Sequence, residues 1–115
     1  VRLHRIALAA YSANAADAFD GRGGLYGKGR WHTVGRPIVY AAQGTSLAMA
    51  EALVHIQRSN SIAPFNRWEI ELPDALILGA PKLRAGWRKD IALTQAFGDA
   101  WLASKSSVGH LIPSA

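Results

Sequence analysis

The sequence predicts a mixed α+β domain. Three observations predict it. Arg67-Trp68-Glu69-Ile70-Glu71-Leu72 alternates polar and apolar residues with a period of two, the mark of a half-buried strand. From Leu47 to about Arg58, residues Leu47, Met49, Ala50, Leu53, Val54 and Ile56 fall on one half of a helical wheel. The other apolar runs and breakers interleave with these two in the order β, loop, β, α, β, α, β. At 115 residues the chain fits one domain, 1–115.

Arg2 to Leu8, apolar-rich with basic residues between, reads as the first strand. Ala9 to Phe19 reads as a short helix or an irregular connection. Asp20 to Gly29 holds five glycines in ten residues and reads as a flexible loop, since glycine is costly inside helices and strands. Arg30-Trp31-His32 follow, then a turn over Val34-Gly35-Arg36-Pro37. Ile38 to Ala42 suits a buried strand entered at Pro37. Thr45 or Ser46 is the expected N-cap of the helix that starts at Leu47. Glu51 and His55 sit on the border of its apolar face, with Arg58 beside them.

Asn60 to Asn66 reads as a loop around Pro64, leading into the alternating strand. Pro73-Asp74 turns the chain into the brief apolar run Ala75 to Leu78. Pro81 to Lys89 is a basic loop carrying Trp87. Asp90 caps a second helix, Ile91 to about Ser104, in which Phe97 and Trp101 are spaced i, i+4 and Gly98 costs about 1 kcal/mol against alanine. Val108 to Ile112 closes the fold as a last strand before Pro113-Ser114-Ala115.

Composition narrows the function classes. Half the residues are apolar and 18% charged, which excludes a disordered or coiled-coil chain. No apolar run approaches the ~18 residues of a membrane span, so no membrane association is expected, and the basic start lacks the apolar stretch of a secretion signal. The absence of cysteine removes disulfides, thiol nucleophiles and thiolate metal sites, and is compatible with a reducing cytoplasm. A net charge of +5 suits a phosphorylated ligand, nucleic acid or an acidic partner, and equally plain solubility. There is no helix-turn-helix with a basic recognition helix, so a nucleic-acid module ranks last.

Standard motifs fail. Gly21-x-Gly23 is followed by Tyr26 where a dinucleotide fingerprint needs glycine, and Arg22 and Gly29 break a P-loop. His4, His32, His55 and His110 show no metal-ligand spacing, so no metal is expected. Gly44-Thr45-Ser46-Leu47-Ala48 approximates a nucleophile elbow with His110 as a possible base, but helix capping explains Ser46 more simply, and the domain is short for a hydrolase sheet. A distributed set is chemically more coherent: Arg30, Tyr40 and Glu51 can converge on one cleft. Arginine supplies a cationic fork for phosphate, tyrosine a ring for a flat heterocycle, and glutamate a charge for a developing sugar cation. Each also has a plain structural explanation.

The same residues carry a resemblance. Gly29-Arg30-Trp31-His32, Gly35-x-Pro37, Tyr40-Ala41-Ala42, Ala48-x-x-Glu51 and Leu53-Val54-His55 resemble the RES domain family. Glu71-Leu72-Pro73-Asp74, Gly86-Trp87, Gly98-Asp99-x-Trp101-Leu102 and Pro113-Ser114-Ala115 extend the likeness over nearly the whole chain. The resemblance implies a fold similar to the ADP-ribosyltransferase (diphtheria-toxin-like) fold. It implies a toxin of a toxin–antitoxin pair that destroys cellular NAD at the nicotinamide–ribose bond, by hydrolysis or by phosphorolysis. NAD is then substrate, inorganic phosphate a possible co-substrate, and no cofactor is needed. The implied partners are an Xre-type antitoxin, with an acidic tail favoured by the +5 charge, and a second toxin copy; direct nucleic-acid binding is not implied. Location in the cytoplasm follows.

The implied catalytic residues are Arg30, Tyr40, Glu51 and Ser114. Arg5, Lys28, His32 and Arg36 are weaker candidates for substrate contacts. Lys28 and His32 depart from the family's usual Gly-Gly-Arg-Trp-Asn, and family members continue beyond the Pro-Ser segment at which this sequence ends. Transfer of ADP-ribose to a protein acceptor is the alternative chemistry on the same fold.

Overall fold

The computed structural model describes residues 1–59 and 64–113, with side chains for 1–53 and 64–113. In chain order its elements are β1 (Arg2–Leu8), α1 (Ala15–Ala18), α2 (Gly23–Tyr26), α3 (Thr45–Ser59), β2 (Phe65–Glu71), β3 (Ile77–Leu78), α4 (Ile91–Ser104) and β4 (Gly109–His110). Single 3-10 turns lie at Ala9–Tyr11, Asp74–Leu76 and Trp87–Lys89. Helices and strands mix as expected for an α+β chain. They gather into two compact units, Val1–Asp20 with Val39–Leu72 and Gly21–Ile38 with Pro73–Ala115. No helix among the described residues is long and apolar enough to cross a membrane.

In the first unit β1 and β2 pair antiparallel, from Arg2 opposite Glu71 to Leu8 opposite Phe65. Trp68, Ile70 and Leu72 are half-buried while Arg67, Glu69 and Glu71 are exposed, as the period-two pattern requires. β2 begins at Phe65, two residues before the alternation, because β1 is long enough to pair that far. Asn60 to Ala63 of the expected loop lie outside the described residues. The connection after β1 is knotted by Ser12, which is fully buried. Its Oγ donates to the Leu8 carbonyl at 2.7 Å, while Asn66 Nδ2 and Trp68 Nε1 donate to the Ser12 carbonyl at 3.2 and 3.1 Å. Asn14 then caps α1 by accepting from the Asp17 N–H at 2.9 Å.

Ile38 to Ala42 is not a continuous strand. It meets β1 at one bridge, His4 with Ala42, through bonds of 2.7 and 2.8 Å. Pro37 has no N–H to offer a ladder, and the Tyr40 carbonyl is taken by the Arg5 guanidinium at 3.0 Å instead of by a strand.

The first helical bond of α3 runs from Ala48 N–H to the Gly44 carbonyl at 3.1 Å, so the cap position is Gly44, one residue before the expected pair. The Thr45 hydroxyl instead meets His4 Nδ1 at 3.2 Å, tying the helix to β1. The buried face also differs from the expected one. Ala48 is buried and Ala52, one turn on, half-buried, whereas Leu47, Met49 and Leu53 are 42%, 53% and 54% exposed. Small residues let the helix approach the strand closely, and an alanine-rich helix with apolar residues round most of its circumference does not declare which arc is covered. Val54 and Ile56, and the expected pairing of Glu51 with His55 or Arg58, involve side chains outside those described.

The second unit corrects the flexible-loop expectation for Asp20–Gly29. Gly23–Tyr26 forms one helical turn, and Gly21 and Gly24 serve close packing. A Cβ on Gly24 would stand 2.1 Å from the Arg36 carbonyl oxygen, and the Gly24 carbonyl accepts from Gly35 N–H at 3.0 Å. α4 has the expected bounds, with Asp90 Oδ1 accepting from Leu93 N–H at 3.0 Å. The last strand is only Gly109–His110, parallel to β3, because the partner run ends at Gly79 and Pro81. An aromatic cluster fills this unit: Trp31 lies 5.8 Å from Trp87 and 5.9 Å from Phe97 between ring centroids.

Candidate functional site

Arg30 stands in a tight turn closed by the Gly29 N–H donating to the His32 carbonyl at 3.2 Å. Several main-chain groups around it are bonded to α4, as buried backbone demands. Gln95 Nε2 donates to the Gly29 carbonyl at 3.0 Å, and Thr94 Oγ1 to the Arg30 carbonyl at 2.6 Å. Asp99 accepts from Thr33 twice, from its N–H at 3.0 Å and its hydroxyl at 2.6 Å. Trp31 and His32 are both buried, and His32 Nε2 donates to the Gly27 carbonyl at 2.8 Å. The carbonyl can only accept, so Nε2 carries the proton. His32 thus pins the glycine segment to the turn.

The Arg30 side chain crosses to Trp87–Lys89, where Nη2 donates to the Arg88 carbonyl. Arg88 in turn lays its guanidinium 4.6 Å from the centroid of the Trp87 ring. Arg30 Nε is buried without a hydrogen-bond partner among the described residues. Such an orphan in a cationic group costs more than the ~1–3 kcal/mol of a neutral one, and in native proteins it demands an explanation beyond stability.

Among the weaker candidates of this unit, Lys28 is exposed. Arg36 is bound to Asp99, Nε to Oδ1 at 3.2 Å, with its side chain 43% exposed. Burial pushes the Asp99 carboxyl up, but the hydroxyl and N–H of Thr33 and the charges of Arg36 and His32 outweigh it and hold the group below the usual carboxylate range. Arg36 also lines an open groove of about 400 Å³ with Gly35, Pro37, Leu102, Ala103 and Lys105.

The first unit holds Tyr40, Glu51 and Arg5. Tyr40 is exposed, at 37%. Arg5 Nη1 grips its main-chain carbonyl, and Arg5 Nε is a second buried N–H without a hydrogen-bond partner among the described residues. Burial lowers the Arg5 pKa from its ordinary value, partly offset by Asp20. Glu51 is exposed, in the second turn of α3. The structure therefore brings Arg5 to Tyr40 in one unit and sets Arg30 and His32 on one turn of the other. Ser114 lies outside the described residues. Ser46 is exposed in the first turn of α3, while the His110 ring is packed 5.3 Å from Phe97 and 5.8 Å from Trp101. Among the described residues no group of three His, Cys, Asp or Glu side chains could hold a metal ion.

A family model described as "RES domain" matches residues 2–115. The chain belongs to the RES family.

Its relatives agree. This RES chain is 38% identical over 116 residues to a protein named "Toxin Res" of Yersinia enterocolitica, covering 97% of this chain and 74% of that one. It is 40% identical over 99 residues to "Toxin Res" of Pseudomonas putida, covering 84% and 68%. It is 36% identical over 108 residues to a "Prs ADP-ribosylating toxin" of a Sphingobium species, covering 86% and 66%. The RES chain thus spans about two thirds to three quarters of the length of these relatives.

Sequence reading missed the residues of the RES chain that hold Arg30 in place: Thr94, Gln95 and Asp99. One signal pointed at them. Gly98 sits in the interior of a helix where it is unfavourable, and a Cβ there would lie 1.6 Å from the Trp31 carbonyl oxygen. The glycine marks where α4 meets the Arg30 turn.

Proposed function

We propose that this RES chain is the NAD-degrading part of a toxin. It cleaves the bond between nicotinamide and ribose. The reading is carried by one observation, the 38% identity that runs along 97% of the chain to a protein named Toxin Res. Two features of the molecule support it. The arginines assigned to substrate, Arg30 and Arg5, each retain a buried N–H without a partner among the described residues, a cost that stability alone does not explain. Glu51 is exposed in the second turn of α3.

In this reading Arg30 takes the pyrophosphate of NAD through its planar fork. Tyr40 lies against the nicotinamide riboside. As the glycosidic bond breaks, its electron pair goes to the nicotinamide nitrogen and neutralises the pyridinium, while positive charge grows on the ribose carbon and ring oxygen. Glu51 bonds the ribose hydroxyls and stabilises that charge. Ser114 helps to hold the ligand or the glutamate. Water adds to the carbon and loses a proton, giving ADP-ribose, or phosphate adds and gives the 1-phosphate. The frame is that of an ADP-ribosyltransferase, and an Xre-type antitoxin together with a second toxin copy completes the assembly in the cytoplasm.

A second reading rests on the Sphingobium relative, whose name says it ADP-ribosylates Prs. There the ribose carbon is captured by a protein acceptor. One experiment separates the outcomes. The protein is incubated with NAD labelled in the adenylate, with and without phosphate. ADP-ribose indicates hydrolysis, ADP-ribose 1-phosphate indicates phosphorolysis, and label on an added acceptor protein indicates transfer. Intact NAD after prolonged incubation with folded protein would overturn both readings.

A further inference from the structure

α4 turns one face toward the Arg30 turn. Thr94, Gln95, Gly98 and Asp99 lie at i, i+1, i+4 and i+5, which brings them to one side of a helix. Three of them bind the turn, and the fourth has no side chain to keep it away. Thr94 is fully buried, and its hydroxyl has two acceptors in reach: the Ile91 carbonyl of its own helix at 3.1 Å and the Arg30 carbonyl at 2.6 Å. A threonine serving only the helix would bond the preceding turn. This one is closer to the residue assigned to the substrate. Gln95 holds the carbonyl on one side of Arg30, and Asp99 holds Thr33 on the other. The guanidinium is steadied separately by the Arg88 carbonyl. Backbone and side chain of Arg30 are thus fixed by different parts of the same unit.

We propose that Thr94, with Gln95 and Asp99, is a positioning residue: the α4 clamp pre-aims the Arg30 fork at the pyrophosphate of the dinucleotide. The inference rests on the assignment of Arg30 to NAD in the preceding subsection. A long, flexible arginine loses binding free energy when it must be ordered by its ligand, and an arginine ordered beforehand does not. The phosphates are unchanged as the glycosidic bond breaks, so they are held equally in ground state and transition state. Loss of the clamp therefore raises KM and leaves kcat nearly unchanged, whereas a defect at Glu51 lowers kcat.

The test compares Thr94→Val, which keeps the shape and removes the hydroxyl, with Thr94→Ser, which keeps the hydroxyl. Thr94→Val is expected to raise the KM for NAD roughly tenfold, the worth of one hydrogen bond, with kcat within about threefold of wild type. Thr94→Ser restores KM. In an Arg30→Ala background Thr94→Val has no further effect on KM, because the group it aims is gone. Hydrogen exchange over residues 29–33 of the unliganded proteins reads the clamp directly and is faster in Thr94→Val alone. Gln95→Ala, a half-buried position bonded to Gly29, replaces Thr94→Val if the latter does not fold. An unchanged KM, or a Thr94→Val effect that persists without Arg30, overturns the proposal. If wild-type protein leaves NAD intact, the functional reading falls, and the exchange comparison still decides whether the clamp exists.

Discussion

Replacing Gly98 by alanine sets two physical effects against each other. Helix propensity favours alanine by about 1 kcal/mol inside α4. The structure opposes it. The new Cβ would stand 1.6 Å from the Trp31 carbonyl oxygen and 2.7 Å from its carbon. Real contacts of this kind stay beyond about 3.0 Å, so helix and turn must separate by about 1.4 Å. The bonds flanking Trp31 cannot stretch that far. The 2.6 Å bond from Thr94 to the Arg30 carbonyl and the 3.0 Å bond from Gln95 to Gly29 both pass the distance at which hydrogen bonds hold. Leaving their buried groups unpaired costs about 1–3 kcal/mol each. After the propensity gain, Gly98→Ala is expected to destabilise by about 1–5 kcal/mol, or roughly 4–20 °C in Tm for a chain of this size. Thermal unfolding followed by circular dichroism measures it, beside nicotinamide release from NAD, which falls as Arg30 is displaced. A Gly98→Ala protein as stable as wild type, or more so, would refute the contact between α4 and the turn and with it the reasoning about Arg30.

Other outcomes follow from the same geometry. Glu51→Gln removes a charge at an exposed position, so Tm stays within about 2 °C while NAD cleavage drops at least about 100-fold; retained activity in the glutamine variant would reassign the carboxylate. Ser46→Ala leaves NAD cleavage and stability near wild type, whereas a large loss of activity would revive acyl-transfer chemistry at the start of α3. Asp99 has a folded pKa held below its unfolded value of about 3.9, so its stabilising contribution is full above that value and is lost as pH falls through the folded one. Denaturant unfolding at pH 5 and pH 3 should therefore show a smaller acid-induced loss for Asp99→Asn than for wild type, and equal losses would exclude the ion-pair and hydrogen-bond role assigned to it.

Local patterns were decisive where one face of an element is wet and the other dry. The alternation of β2, the Asp90 cap and the span of α4 were legible because side-chain period and capping chemistry act within a few residues. Arg30, Tyr40 and Glu51 could be named as candidates for the same reason: their residue types suit the proposed chemistry wherever they stand. Three other features were decided by contacts between segments far apart in the chain. The arc of α3 that is covered runs through Ala48 because a small side chain lets the helix close on β1. The glycine-rich segment is packed because Gly24 admits the Arg36 carbonyl. Gly98, unfavourable as a helix residue, is required because α4 presses against Trp31 and holds the Arg30 turn. Glycine and alanine leave almost no pattern of their own, since what they contribute is the space they do not fill, and only the neighbouring segment in three dimensions gives that space its use.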